Sequence, residues 1–168
     1  MYYHAIVFFY FFRSNMEHLD KTDIQLIKLL QENARYSLKM LSEKVNLSTP
    51  AVSTRIDKLQ TMGIIKGYTA IVDQLKLGFI ITAFINLEVP PKGKPEFYEY
   101  IETCPNVLEC NCVTGNYSML IKVAFKNTIE LDTFIGILQK KFGVTNTLLV
   151  FSTAVEPRGV DPSLAEKS

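Results

Sequence analysis

The sequence predicts an α+β chain of two parts, and three observations predict it. Three amphipathic helical stripes follow one another between Leu19 and Gly63, the last two separated by a very short connection. Past Gly78 the pattern turns β-rich, with Pro90-Pro91 and Gly115-Asn116 as punctuation. The elements of that second part fall in the order βαββαβ.

Each element has a local reason. In LDKTDIQLIKLLQENA, Leu19 to Ala34, the apolar residues Ile24, Ile27 and Leu30 or Leu29 recur at helical spacing behind an acidic first turn, as in an amphipathic helix. Ser37 can cap a second, short helix in which Leu38, Leu41 and Val45 are spaced by three and four. After Asn46-Leu47-Ser48, Thr49 or Ser48 is a good N-cap, and Pro50 suits the first helical position, where its missing N–H costs nothing. Val52, Ile56 and Leu59 then form one apolar stripe, and Gly63 can stop the helix. The other face carries Ser53, Thr54, Asp57 and Lys58 with Arg55 nearby, all able to hydrogen-bond. IIKGYTAIV, from Ile64, reads as a short β wing. Three helices, a turn of about four residues and a wing describe a winged helix-turn-helix, whose third helix is the one placed in the major groove.

In the second part, Phe79 to Val89 reads as a strand. Phe97, Tyr100, Ile101 and Cys104 follow at helical spacing. Val107 to Thr114 and Tyr117 to Phe125 read as strands around the Gly115-Asn116 turn. Leu131, Phe134, Ile135 and Leu138 form a helical stripe, and Val144 to Val155 a last strand. This order is that of the ferredoxin-like split fold. Both faces of its sheet read as apolar: Phe79, Ile81, Ile85 and Leu87 oppose Ile80 and Phe84, and Leu148 and Val150 oppose Leu149 and Phe151. Two helices cover one face only, so the other predicts a dimer.

Composition bounds the function. With 48% hydrophobic and 21% charged residues in 168, the chain is folded rather than disordered. A net charge of +1 leaves no bulk footprint of nucleic-acid binding. Between Met16 and Leu77, nine Lys and Arg stand against seven Asp and Glu. DNA binding therefore rests on arrangement, and on a dimer that presents two helices at once. Cys104, Cys110 and Cys112 lack a fourth ligand and zinc-type spacing. They read as reduced thiols of a cytoplasmic protein, with no metal expected.

The opening MYYHAIVFFYFFRSN falls short of the about 20 apolar residues needed to span a bilayer. It also lacks the basic n-region and cleavage site of a signal peptide. The expected explanation is a misassigned start codon with Met16 the true start, the alternative being a membrane-associating anchor. The expected map is then an extension at 1–15, a helix-turn-helix domain at 16–63, wing and linker at 64–78, a ferredoxin-like effector-binding and dimerisation domain at 79–156, and a flexible tail at 157–168.

From Leu19 to Glu156 the chain resembles the Lrp/AsnC family, the leucine-responsive or feast/famine transcription regulators. The resemblance is carried by LDKTDIQLIKLLQENAR, by LSEKVNLSTPAVSTRIDKLQTMGIIKGYTAIVD with Leu77-Gly78, and by VTGNYSMLIKVAF. It implies a homodimer, often assembled further into an octamer, that binds double-stranded promoter DNA. Thr49, Pro50, Ser53, Thr54, Arg55 and Lys58 would then form the DNA face, with Lys66 on the wing. For Arg55 the alternative is an ion pair within the domain, with Asp57 or Glu43.

The resemblance further implies a small-molecule effector, commonly an amino acid, held in clefts between dimers, and no membrane partner. Gly115, Asn116 and Tyr117 match the family's turn, but Ser118 stands where an Asp is common. A hydroxyl there holds an ammonium group less strongly than a carboxylate would. Without the resemblance, Gly115-Asn116 reads as a hairpin turn. Thr147, Ser152 and Thr153 either line the same cleft or are satisfied edge-strand hydroxyls.

The rival reading is an enzyme, since siroheme decarboxylases resemble the same two-domain plan. Such chemistry wants titratable groups converging on a pocket, yet His4 and His18 both precede the first helix. No nucleophile–base set or P-loop appears. A metabolite-binding module without DNA binding is the third reading.

Overall fold

Asp20 opens the first helix. Its carboxylate accepts from the Asp23 N–H at 2.8 Å, and the Asp23 carboxylate accepts from the Asp20 N–H at 3.3 Å. This reciprocal cap satisfies two otherwise orphaned donors and starts α1, Lys21–Glu32. Ser37 caps α2, Leu38–Val45, and Ser48 caps α3, Thr49–Thr61. Between α2 and α3 the chain turns on Asn46, held at φ 54, a left-handed conformation that Asn tolerates better than most residues. Gly63, at φ +71, ends α3 as expected.

The computed structural model describes residues 19–167. The expectations for 1–15 and for a start at Met16 lie outside the described residues. The chain divides into two compact units, one running up to Ala70 and resuming at Pro157, the other from Ile71 to Glu156.

The first unit packs Leu26, Leu41, Val45, Val52 and Ile56 into one cluster, with Leu29, Leu30, Tyr36 and Leu47 against it. Leu26 is fully buried although the three-four spacing passed over it. The apolar stripe of α1 is simply broader than one row. The expected β wing is not formed: residues 63–80 contain no strand. Among the described residues the segment has no ladder partner; Ile64 and Ile65 instead donate to the Leu59 carbonyl, and residues 74–78 form a turn. Most of it is exposed, Ile71 at 91%.

The second unit is a four-stranded antiparallel sheet in the order β2-β3-β1-β4. The strands are β1, Ile81–Leu87; β2, Val107–Cys112; β3, Met119–Phe125; and β4, Thr145–Leu149. Helix α4, Lys94–Glu102, joins β1 to β2, and α5, Thr128–Lys141, joins β3 to β4. Ala83, Ile85 and Leu87 of β1 and Met119, Ile121 and Val123 of β3 face the helices and are fully buried with Phe97 and Leu138. Phe142 meets Phe97 edge-on at 5.4 Å. Gly143, at φ +145, lets the chain pass so close to the Glu88 carbonyl that a Cβ would collide with it.

The opposite sheet face carries Phe84, paired with Lys122 and Leu148 across its two ladders, beside Leu120, Ala124 and Val150. Thr82, Asn86, Glu109, Asn111 and Asn146 dilute it, so it is less uniformly apolar than the strand patterns suggest. The last strand is also shorter than expected. It stops at Leu149, and Phe151 stands 97% exposed beyond it.

The segment expected to be a flexible tail instead returns to the first unit. Pro162 is buried, and residues 159–161 lie against α1.

Candidate nucleic-acid interface and effector turn

The buried stripe of α3 is Val52, Ile56 and Leu59, so the geometry of the helix leaves Pro50, Thr54 and Lys58 exposed and Ser53 half-exposed. Thr54 donates to the Pro50 carbonyl at 3.0 Å, which aligns its hydroxyl along the helix and leaves oxygen lone pairs outward. Thr49 donates to the Ser42 hydroxyl at 3.4 Å, a long bond that ties the start of α3 to α2. Ser42 itself is buried and donates to the Lys39 carbonyl at 2.7 Å. Lys66 is exposed in the extended segment after α3.

Arg55 differs from its neighbours. Its Nη1 lies 2.7 Å from Asp20 Oδ2 and 2.7 Å from Asp23 Oδ1. The ion-pair partners are thus the two capping carboxylates of α1 rather than Asp57 or Glu43. The hydrogen bonds it donates to Asp23 and then to Asp20 raise the guanidinium pKa above its usual range. The Asp23 N–H first, with Arg55 adding to it, holds the Asp20 carboxyl below its usual range against the opposing effect of burial, which ranks second. Arg55 is therefore a brace between helices rather than a free phosphate ligand. A D-x-x-D pattern at the start of α1 advertises the cap, but its reach to Arg55 is not written in local spacing.

The residues expected at the effector site are not brought together in one chain. Gly115, at φ +115, makes the β2–β3 connection with exposed Asn116 and half-buried Tyr117. Ser118 is a structural pin: its hydroxyl accepts from the Val89 N–H at 2.9 Å and donates to the Val89 carbonyl at 3.2 Å. Its N–H donates to the Leu87 carbonyl at 3.2 Å. It therefore does not stand free in place of an Asp.

Thr147 is across the sheet, on edge strand β4 opposite Ile85. There it lines an open groove with Thr128, Ile129, Asp132, Ile135 and Leu149. Ser152 is exposed past the far end of β4. Cys110 and Cys112 point to the same side of β2, opposite Ile121 and Met119. Burial, then the neighbouring Cys112, raises the Cys110 thiol pKa.

Two family models match the chain. Residues 19–60 match the AsnC-type helix-turn-helix domain, and residues 82–160 match the Lrp/AsnC ligand binding domain. The HTH-type transcriptional regulator FL11 of Pyrococcus horikoshii is 34% identical over 140 residues, 82% of this chain and 93% of that protein. LrpC of Bacillus subtilis is 32% identical over 134 residues, 80% of this chain and 92% of its own length. The solved structure of B. subtilis LrpC superposes with a TM-score of 0.79 at 30% identity, covering 84% of this chain and all (100%) of that one. A transcriptional regulator of Neisseria meningitidis, NMB0573, solved in complex with L-methionine, shares the fold with a TM-score of 0.83 at 24% identity, over 88% of this chain and 99% of its own.

Proposed function

From the premise that this chain belongs to the Lrp/AsnC family, whose members are DNA-binding transcriptional regulators and not enzymes, we propose that it reads promoter DNA through α3 as a homodimer and answers to an amino acid. The observation that carries the DNA assignment is the division of α3. Its apolar stripe is consumed by the core of the first unit, while Pro50, Ser53, Thr54 and Lys58 remain on one solvent-facing side. Small polar groups beside a cation suit a helix that must approach base edges and phosphates closely. Arg55 serves this surface indirectly, by bracing α3 against α1.

The amino-acid effector is supported by the ligand-binding domain that residues 82–160 match and by the L-methionine held by the Neisseria protein. The Gly115–Tyr117 turn joins β2 to β3, whereas Thr147 is on edge strand β4, with β1 between β3 and β4. A cleft built from two chains could use both, in keeping with an effector that acts on assembly. Dimerisation is supported by the sheet face around Phe84 and Leu148, which the helices of its own chain leave uncovered.

The test is a gel-shift series on promoter fragments of the source genome, repeated with each of the twenty amino acids, alongside light scattering. Retarded complexes whose affinity or stoichiometry responds to one amino acid are expected. Absence of any complex at low salt would sink the regulator reading. Complexes indifferent to all twenty would remove the amino acid alone.

A further inference from the structure

The chain leaves the sheet at the end of β4, crosses residues 150–156, and finishes on the other unit. There the Val160 carbonyl accepts from Gln31 Nε2 at 3.2 Å, and Asp161 Oδ1 sits 3.1 Å from Lys28 Nζ. Gly159 lies so close to Gln31 that a Cβ would run into its side-chain amide. Pro162 is buried. Asp161 is fixed in place by accepting from both the Ser163 N–H at 3.0 Å and the Ser163 hydroxyl at 2.8 Å, just ahead of a short 3-10 helix, Pro162–Lys167.

Lys28 and Gln31 are one turn apart on α1. The other end of that helix carries Asp20 and Asp23, which clamp Arg55 of α3. One helix therefore holds the returning segment at one end and the DNA-reading helix at the other. We propose that residues 159–164 are a latch on α1 that sets the stability of that helix and, through the Arg55 clamp, of α3. Coupling of this kind needs a contiguous chain of packed groups with two arrangements. The segment, Lys28 and Gln31, α1 and the Arg55 clamp form that contiguous chain, and the latched and released segment would be its two arrangements. The regulator reading supplies the latch's purpose, but its test does not depend on DNA.

The experiment is amide hydrogen exchange on the full chain and on a double variant, Gly159→Val with Pro162→Ser, which leaves net charge unchanged. Release should speed exchange about threefold or more in residues 21–32 and 49–61 and leave 119–125 of β3 unaltered. A charge swap gives a second route: Lys28→Asp or Asp161→Lys alone should speed exchange in the same peptides, and the two together should restore it. Acceleration confined to 157–164, or equal acceleration in β3, would overturn the latch. A chain that shows the expected response but shifts no duplex DNA would sink the regulator reading and leave the latch standing.

Discussion

Arg55 of α3 and Asp23 of α1 are joined at 2.7 Å, with the Asp23 side chain only 10% exposed. The pair joins α3 to the start of α1, so the guanidinium fixes how α3 is held against the first helix. Removing it strands a nearly buried carboxylate. Arg55→Ala should cost the first unit about 2 kcal/mol, the range for hydrogen bonds to charged groups. Arg55→Lys should recover only part of this, because a shorter stem must carry its ammonium to the place where Nη1 alone meets both carboxylates. Urea unfolding followed by helical circular dichroism measures both; equal midpoints for all three proteins would dismiss the brace.

The same clamp predicts acid behaviour. The folded Asp20 carboxyl has a pKa below its ordinary 3.8, so the stability it contributes is present above that value and drains away as pH falls through the lowered one. Acid unfolding of the first unit should therefore steepen below about pH 4. Asp20→Asn keeps an oxygen to cap α1 but carries no charge, and should flatten that part of the curve.

Lys58 and Lys66 should act on DNA through phosphates. Lys58→Ala should weaken binding to all sequences alike and reduce the slope of log affinity against log salt by about one unit per DNA-bound chain. Lys66→Glu should weaken it further, by adding repulsion where attraction was lost. Fluorescence anisotropy across a salt series reads both slopes, and an unchanged slope for both variants would place the DNA surface elsewhere.

Ser118→Asp separates a pin from a ligand group. An Asp can still accept from the Val89 N–H but turns a carboxylate toward the Val89 carbonyl, where the hydroxyl donated. Both Ser118→Asp and Ser118→Ala should lower the melting free energy of the second unit by about 2 kcal/mol. A stabilised Asp variant, or one that gains affinity for an amino acid in calorimetry, would restore Ser118 to the effector site.

Phe84→Asp should convert a dimer to a monomer or to insoluble protein. A charge placed in a dry interface without a partner costs several kcal/mol. Phe151, beyond the end of β4, is not on the same stretch of sheet, and a charge there should be better tolerated. Light scattering of both variants decides; an intact Phe84→Asp dimer means the interface lies on another surface.

The helices and most strands were legible because their causes are local. Ser37, Pro50 and Gly63 mark boundaries by the backbone geometry each one favours, and Val52, Ile56 and Leu59 declare a face by spacing alone. What was not legible depends on contacts distant in sequence. Arg55 has acidic neighbours at Asp57 and Glu43, yet it reaches back to Asp20 and Asp23. Ser118 looked like a substitute for a ligand because its partner, Val89, is 29 positions away. The sequence predicts a flexible tail at 157–168, and only the fold brings Val160 and Asp161 beside Gln31 and Lys28. The wing was misread in the opposite sense: β-branched residues at 64–72 announce a strand, but a strand also requires an opposite edge.

Gly143 has a bearing on how this protein can vary. It is only half-buried and sits outside every helix and strand, so by exposure alone it would rank among the replaceable positions. Yet its φ of +145 and the proximity of the Glu88 carbonyl exclude any side chain. A saturation library at this codon should return almost nothing but glycine, while Asn116 and Asn146, equally peripheral, accept many replacements. The mutational tolerance of the sheet's edge is therefore set by the room between two backbones, and a single hydrogen atom is all that fits there.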